Sequence, residues 1–348
     1  MSSLAGRLCI DVQHATDRIV AVTTNLQRPL EHISRLLTGR EPEPALRCIA
    51  LLFSICSNAQ QVAAVNALEQ ALGWQTPLEV VRARQQLTEL ELIRESLLRL
   101  AHGWELPIAA DQLKRLVSLC QHGISALQPM AGLQALADDP QRGELNTALQ
   151  QLAEYGQQLQ DIGSCGWLMP RLAHWSGITL GGAVPEALEP TRIEPLLAAL
   201  REGRVTAEID GQPRMTGPAT ASEITGSAGR QIEQRVMALL HGACRSMAAL
   251  QTLPPVACMA QPVLEAGEGM ALVKTARGWL LQRIRVERGR IAEWQIIAPT
   301  DWNFHADGLL RRQLRGIRVP VEQAETLVHE LVLSMDPCLD FEVKIDHA

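Results

Sequence analysis

The 348-residue chain is 47% apolar and 20% charged, which suits a globular protein with a substantial core in one large domain or two ordinary ones. Its net charge of −6 at pH 7, with both signs interspersed, offers no basic face for a phosphate backbone, so nucleic-acid binding is not expected. No apolar run reaches the roughly 18 residues needed to span a bilayer, and Met1-Ser-Ser-Leu-Ala-Gly6 lacks the basic and apolar regions of a signal peptide. A cytoplasmic protein with no membrane partner is the expectation.

Residues 6–26 alternate in strand fashion around Ala15-Thr-Asp17 and predict a β-hairpin. From Pro29 the pattern becomes helical: Leu30, Ile33, Leu36 and Leu37 form one stripe, ended by Thr38-Gly39. The segment 43–72 is apolar and helical, with a break near 54–58 and Gly73 as its stop. Residues 78–101, 110–125 and 144–160 carry Leu, Glu, Arg and Gln at helical spacing. Glycine and proline make 163–190 irregular; a short helix near 193–202, a polar loop or small hairpin over 204–224, and a long amphipathic helix at 226–251 follow.

The texture then changes. Residues 269–285 and 290–297 alternate β-branched and polar residues around Glu287-Arg288-Gly289, predicting an antiparallel hairpin. Helices are expected near 305–315 and 321–334, then a partly extended tail. With hairpins near opposite ends, we expect a single mostly helical α+β domain over 1–348: an N-terminal hairpin at 6–26, a helical core at 29–252, and a hairpin plus helices at 268–348. Aromatics are few (seven Trp, three Phe, one Tyr), so Leu, Ala, Val and Ile are expected to fill most of the interior.

The eight cysteines are scattered, at 9, 48, 56, 120, 165, 244, 258 and 338, and no C-x-x-C pair occurs. In a reducing compartment they read as thiols, with neither a disulfide framework nor a zinc ribbon indicated. Cys56 lies in Leu52-Phe-Ser-Ile-Cys-Ser-Asn-Ala-Gln60, just before an apolar helix. A helix N-terminus favours thiolate, the metal-binding form, although a packed core thiol is the plainer reading of one cysteine alone. Cys338 lies in Met335-Asp-Pro-Cys-Leu339, where Pro337 stiffens the approach. Cys9, Cys48, Cys120, Cys165, Cys244 and Cys258 read as packed thiols; Glu322, Glu325 and Glu330 read as a solvated helix face, and His305 and His347 as solvated. Two further stretches stand out: Lys274-Thr-Ala-Arg-Gly-Trp-Leu280, whose Arg277 alone would pass for a surface charge, and Ile296-Ile-Ala-Pro-Thr-Asp-Trp-Asn303.

Taken in order, these segments resemble the large subunit of [NiFe] hydrogenases. Gly6-Arg-Leu-Cys-Ile10 is similar to that family's Gly-x-Leu-x-Ile strand, and 51–60 echoes its Arg-x-Cys-Gly-x-Cys-x-x-x-His block. Ala276-Arg277-Gly278 matches part of its Ala-Pro-Arg-Gly turn, Pro299–Asn303 its Pro-Ser/Thr-Thr-Trp-Asn segment, and Asp336-Pro337-Cys338 its Asp-Pro-Cys-x-x-Cys-x-x-His ending. The resemblance implies a hydrogenase large-subunit-like core with peripheral β-hairpins.

The departures matter as much. Phe53 and Phe341 stand where the family has two of its four metal-binding cysteines, Gln60 replaces the His, and Ala5 replaces a proton-transferring Glu. Cys56 takes a bridging position and Cys338 a terminal nickel position. The chain ends at Ala348 without the extension that a specific endopeptidase removes from a genuine precursor, so no such processing is expected. Two phenylalanines cannot donate to a soft metal, so a nickel–iron centre, nickel binding and H2 turnover are not expected.

The family's iron carries two cyanides and one carbon monoxide. The resemblance implies that Arg277 and the Pro299-Thr300 step, whose counterparts donate to cyanide, are retained around that iron. Asp336 matches an acidic residue above the family's site, and a helix-ending Asp-Pro turn explains it equally well. A broken nickel set beside retained cyanide donors resembles the HupK/HoxV-type accessory proteins. That likeness implies a non-catalytic maturation factor: a scaffold that transiently holds Fe(CN)2(CO) on Cys56 and Cys338, with maturation proteins and the large-subunit precursor as partners. The alternative is a metal-free chaperone or structural protein with the large-subunit fold.

Overall fold

The structure is a computed structural model that describes residues 6–28, 30–53, 55–136, 142–163, 165–219, 223–253 and 263–347. Met1–Ala5, Pro29, Ser54, Cys258 and Ala348, named above, lie outside the described residues, as does the side chain of His347.

Strands β1 (Arg7–Ala15) and β2 (Arg18–Gln27) form the expected antiparallel hairpin, with Thr16 left-handed at its turn. Leu8, Ile10 and Val12 are fully buried, so period-two alternation sends one face of β1 inward. Helices α1 (Leu30–Leu37), α2 (Pro42–Leu52) and α3 (Ser57–Ala71) follow. The break between α2 and α3 falls where the sequence indicates. Then come α4 (Leu78–Trp104), α5 (Ala110–Leu127), α6 (Arg142–Gly163), the single turn α7 (Met169–Leu172) and α8 (Glu194–Arg201). The loop expected over 204–224 holds a two-residue pair, β3 (Glu208–Ile209) and β4 (Gln212–Pro213), before α9 (Ala228–Ala249).

The second β region differs from the expected hairpin. It is a three-stranded meander, β5 (Glu268–Thr275), β6 (Gly278–Glu287) and β7 (Arg290–Ile297), because Ala276-Arg277-Gly278 is itself a tight turn. Unbroken alternation through 269–285 concealed that reversal: both strands keep period two, and the turn removes no apolar residue from the pattern. Ala271, Val273, Leu280 and Ile284 face the main apolar cluster, which includes α3. Met270, Leu281 and Ile297 face a second cluster with Leu196, Leu200 and Trp302. Both faces are covered, so the meander is buried.

Helices α10 (Pro299–Asn303), α11 (Leu309–Leu314) and α12 (Val321–Met335) come next, and the tail forms β8 (Phe341–His347). Strand β8 pairs in parallel with β1, Leu8 opposite Phe341, so the last strand joins the first sheet. Its half-buried pattern is too short to reveal a parallel partner over 300 residues away. Few as they are, tryptophans occupy the deepest positions: Trp104, Trp175, Trp294 and Trp302 are the largest fully buried side chains.

Three smaller expectations are corrected. Glu330 is buried, accepting from Trp175 Nε1 at 2.6 Å, because α7 and the turn after it pack over that side of α12. Cys165 is exposed, lying in the turn just past the end of α6. His305 is largely covered and lies 3.2 Å from Glu208.

Contact between α3 and β5 is so close that a Cβ on Gly269 would lie 1.8 Å from the Ala67 carbonyl oxygen. Gly269→Ala is therefore expected to cost about 3 kcal/mol, the upper end of overpacking. Gly289, left-handed at φ +74° but with open space around it, should lose only about 1 kcal/mol on the same change. Urea unfolding midpoints at constant slope check this; equal shifts in the two variants contradict the α3–β5 contact.

Candidate metal-binding site

Four chain segments converge on one buried cleft. Cys56 is the N-cap of α3 and adopts a left-handed conformation (φ 54°, ψ 34°), turning the chain sharply out of α2. The backbone amides of Asn58 and Ala59, donors without helical partners, are accepted by the buried Glu91 carboxylate at 3.0 and 2.9 Å. Burial raises the Glu91 pKa, and the backbone and Asn58 hydrogen bonds oppose that rise. Glu91 thereby holds the turn that presents Cys56.

Cys338 arrives from the opposite side. Helix α12 ends in left-handed Asp336 (φ 51°), and Pro337 then directs the chain so that Cys338 lines the same cleft as Cys56, Phe53 and Pro299. The Cys338 amide donates to the Thr300 hydroxyl oxygen at 3.4 Å. Thr300 is buried at the start of α10, where Pro299 occupies the first turn and the Asp301 carboxylate accepts from the Ala298 amide at 2.7 Å.

Arg277 closes the cleft from the tip of the β5–β6 turn. Thr275 shapes that turn, accepting from the Arg277 amide at 3.1 Å and donating to the Gly278 carbonyl at 3.0 Å. Gly278 has φ +126°, and a Cβ there would overlap Thr216, so the turn requires glycine. Asn303 ties the turn down: its Oδ1 accepts from the Thr216 amide at 2.9 Å and its Nδ2 donates to the Arg277 carbonyl at 3.4 Å.

The Arg277 guanidinium is 3% exposed, so it is not a surface charge. Its Nη1 donates to Cys56 Sγ at 3.2 Å. Its Nε lies 3.2 Å from Asp336, close enough for ion pairing though not aligned for a hydrogen bond, and its Nη2 lies 3.7 Å from Glu95. Burial disfavours the arginine's charge, but Asp336, both cysteines and Glu95 outweigh that and hold it fully protonated. Asp336 also pairs with Arg99.

The two cysteines line the same cleft and shift each other's protonation. The hydrogen bond to Cys338, burial and the neighbouring negative charge push the Cys56 pKa well up, so this thiol keeps its proton. The hydrogen bond from Cys56, aided by Arg277 and Thr300 against burial and Asp336, lowers Cys338 to about 6. Cys56 and Arg277 thus bias Cys338 toward the thiolate.

All six residues singled out from sequence (Cys56, Cys338, Arg277, Pro299, Thr300 and Asp336) thus meet here. Phe53 is half-buried beside Cys56, whereas the Phe341 ring packs on His329 at 4.9 Å. Gln60 is buried and accepts from Gln282 Nε2 at 2.6 Å; Gln282 in turn accepts from Trp294.

Sequence reasoning missed the floor of the site. Glu91, Glu95 and Arg99 stand at i, i+4 and i+8 on α4 and engage α3, Arg277 and Asp336 in turn. That charged stripe within a Leu-rich helix was the available signal. It also missed Arg28, which lines the cleft with a side chain 9% exposed and pairs with Asp301. No spacing marks Arg28, which lies in the short link after β2.

Among the described residues no group of three or more His, Cys, Asp or Glu is arranged to hold a metal ion. The cleft's soft donors are two sulfurs. Two sulfurs beside a buried guanidinium and a hydroxyl suit a soft metal that carries its own anionic ligands.

Comparison with known proteins gives a consistent picture. The chain is 50% identical to the hydrogenase expression/formation protein HupV of Azotobacter chroococcum mcd 1, over 99% of this chain and 100% of that protein. It is 48% identical to the hydrogenase expression/formation protein HupK of Azotobacter vinelandii, with the same coverage. Among solved structures it is similar to the reduced, active Ni-Fe-Se hydrogenase of Desulfomicrobium baculatum, with a TM-score of 0.60 at 13% identity, over 94% of this chain and 95% of that one. The large-subunit-like fold expected from sequence is thus the fold observed. No protein-family model matches.

The lowered Cys338 pKa predicts a pH signature. A lowered thiol pKa means thiolate, and the contacts that stabilise it, persist above about pH 6 and are lost as pH falls through that value. Iodoacetamide labelling of Cys338, followed by mass spectrometry, should therefore rise with a midpoint near pH 6. Cys56→Ala removes the hydrogen-bond donor and should move the midpoint up toward the ordinary thiol value of 9.0. A wild-type midpoint already at the ordinary value contradicts the pairing.

Proposed function

The chain belongs to the hydrogenase expression/formation protein family, and from that membership we propose that it is a non-catalytic maturation factor that carries Fe(CN)2(CO) as cargo during [NiFe] active-site assembly. The observation that carries this reading is the buried contact of Arg277 with Cys56, with Cys338 lining the same cleft. Thiolates are the soft ligands an iron carbonyl unit needs. Cyanide nitrogens are acceptors carrying negative charge, and a desolvated guanidinium offers them charge-assisted hydrogen bonds, roughly twice as strong as neutral ones. Thr300, beside Cys338, adds a hydroxyl.

The same donor set argues for a carrier over a hydrogenase. The enzymes hold nickel and iron with four thiolates, and this cleft has two, with Phe53 beside them. Two protein sulfurs leave an iron's remaining positions to its own diatomic ligands and to a receiving site, which suits transfer. No nickel is expected, and the partners are maturation proteins and the large-subunit precursor. Among the described residues no helix is long and apolar enough to cross a membrane.

Infrared spectroscopy tests the reading. Protein purified anaerobically from cells expressing the maturation machinery should show carbonyl and cyanide stretches that disappear in Cys56→Ala and in Cys338→Ala. Arg277→Met should weaken loading at least tenfold and shift the cyanide bands, since a buried charged hydrogen bond lost is worth about 1.5–3 kcal/mol. A blank wild-type spectrum with partner binding intact would leave the metal-free chaperone reading in its place. Stoichiometric nickel with H2 oxidation would overturn both.

A further inference from the structure

Four arginines are buried among the described residues: Arg84, Arg235, Arg277 and Arg283. Three are matched by carboxylates, Arg84 by Glu69, Arg283 by Glu268 and Arg277 by Asp336. Arg235, on α9, is not. Its Nη1 donates to the Gln231 carbonyl at 3.4 Å and its Nη2 to Gln313 Oε1 at 2.7 Å, while its Nε has no partner. Both acceptors are neutral, and no carboxylate of the described residues lies within 4.0 Å of the guanidinium. Gln313 is itself held in place by donating to Gln231 Oε1 at 2.6 Å, so the amides orient the guanidinium without neutralising it.

A buried charge without a counter-charge is costly, and arginine does not escape by losing its proton. Burial draws the Arg235 pKa down only to about 10, which leaves it charged at neutral pH. The side chain lines a small cavity behind the Arg277 turn, shared with Thr216, Pro218, Leu239, Asn303 and Ser334, with a volume of about 30 Å³. That is room for one small ion or water. Arg277 and Asp336 form another wall and offset each other, so the cavity keeps Arg235's single positive charge.

We propose that this cavity is a binding site for a small monovalent anion of halide or pseudohalide size, with Arg235 as its counter-charge. The apolar walls, Pro218, Leu239 and Met335 among them, favour a small, weakly hydrated ion. The site lies on the side of Arg277 away from the cysteines and stands whether or not iron is ever bound there.

Bromide is the probe. Crystals grown or soaked in sodium bromide should show an anomalous peak within hydrogen-bonding distance of Arg235. Bromide should raise the wild-type unfolding temperature saturably over equimolar sodium gluconate, and Arg235→Met should abolish that rise. If Arg235→Met does not fold, Leu239→Phe, which fills the cavity and leaves the arginine in place, should abolish it instead. Ordered water alone in the cavity, or a bromide response unchanged in the variant that folds, overturns the assignment.

Discussion

The Arg277 guanidinium is buried beside the cleft, in contact with Cys56 and with Asp336 and Glu95. A charge so buried is tolerable only if its surroundings are fixed, because losing one partner strands the rest. Much of the surrounding architecture meets that requirement. Asn303 and Thr216 pin the turn that carries Arg277, α4 supplies Glu95 beneath it, and the left-handed end of α12 brings Asp336 and then Cys338 alongside. Segments as far apart in sequence as Cys56 and Cys338 are thereby tied to one point. The parallel pairing of β8 with β1 closes the chain around it.

The two cysteines are not equivalent. Cys56 is presented by a strained turn, receives the arginine's hydrogen bond and keeps its proton. Cys338 is biased toward the thiolate by Cys56, Arg277 and Thr300. In the proposed carrier a metal would meet one sulfur already ionised and displace a single proton from the other. By the sequence resemblance Cys56 falls at a bridging position of the [NiFe] large subunits and Cys338 at a terminal nickel position, so in the proposed carrier an iron held by this pair would be coordinated differently from the enzyme's. That difference favours a site that releases its cargo.

Helices were legible wherever apolar residues recur at 3.6-residue spacing, and the α2–α3 break was legible from the polar run before Asn58. The meander was not: period two continues across Ala276-Arg277-Gly278, and only the glycine hints at a reversal. Parallel pairing of β8 was hidden because register between chain ends leaves no local mark. In the site, motifs with proline, glycine and cysteine at fixed spacing exposed Cys56, Arg277, Thr300 and Cys338. The residues that hold them, Glu91, Glu95, Arg99 and Arg28, are ordinary helix and link charges in sequence, and their partners appear only once the chain is folded. Glu330 was misread for the same reason, since its solvent-facing pattern says nothing of the tryptophan packed over it.

The central claim is that one iron is held by this sulfur pair. Iron K-edge X-ray absorption on anaerobically loaded protein addresses it directly. Two sulfur scatterers per iron in the wild type, falling to one in Cys56→Ser and in Cys338→Ser, is the result expected. Iron bound only by oxygen and nitrogen, or the same sulfur count after either substitution, would contradict it.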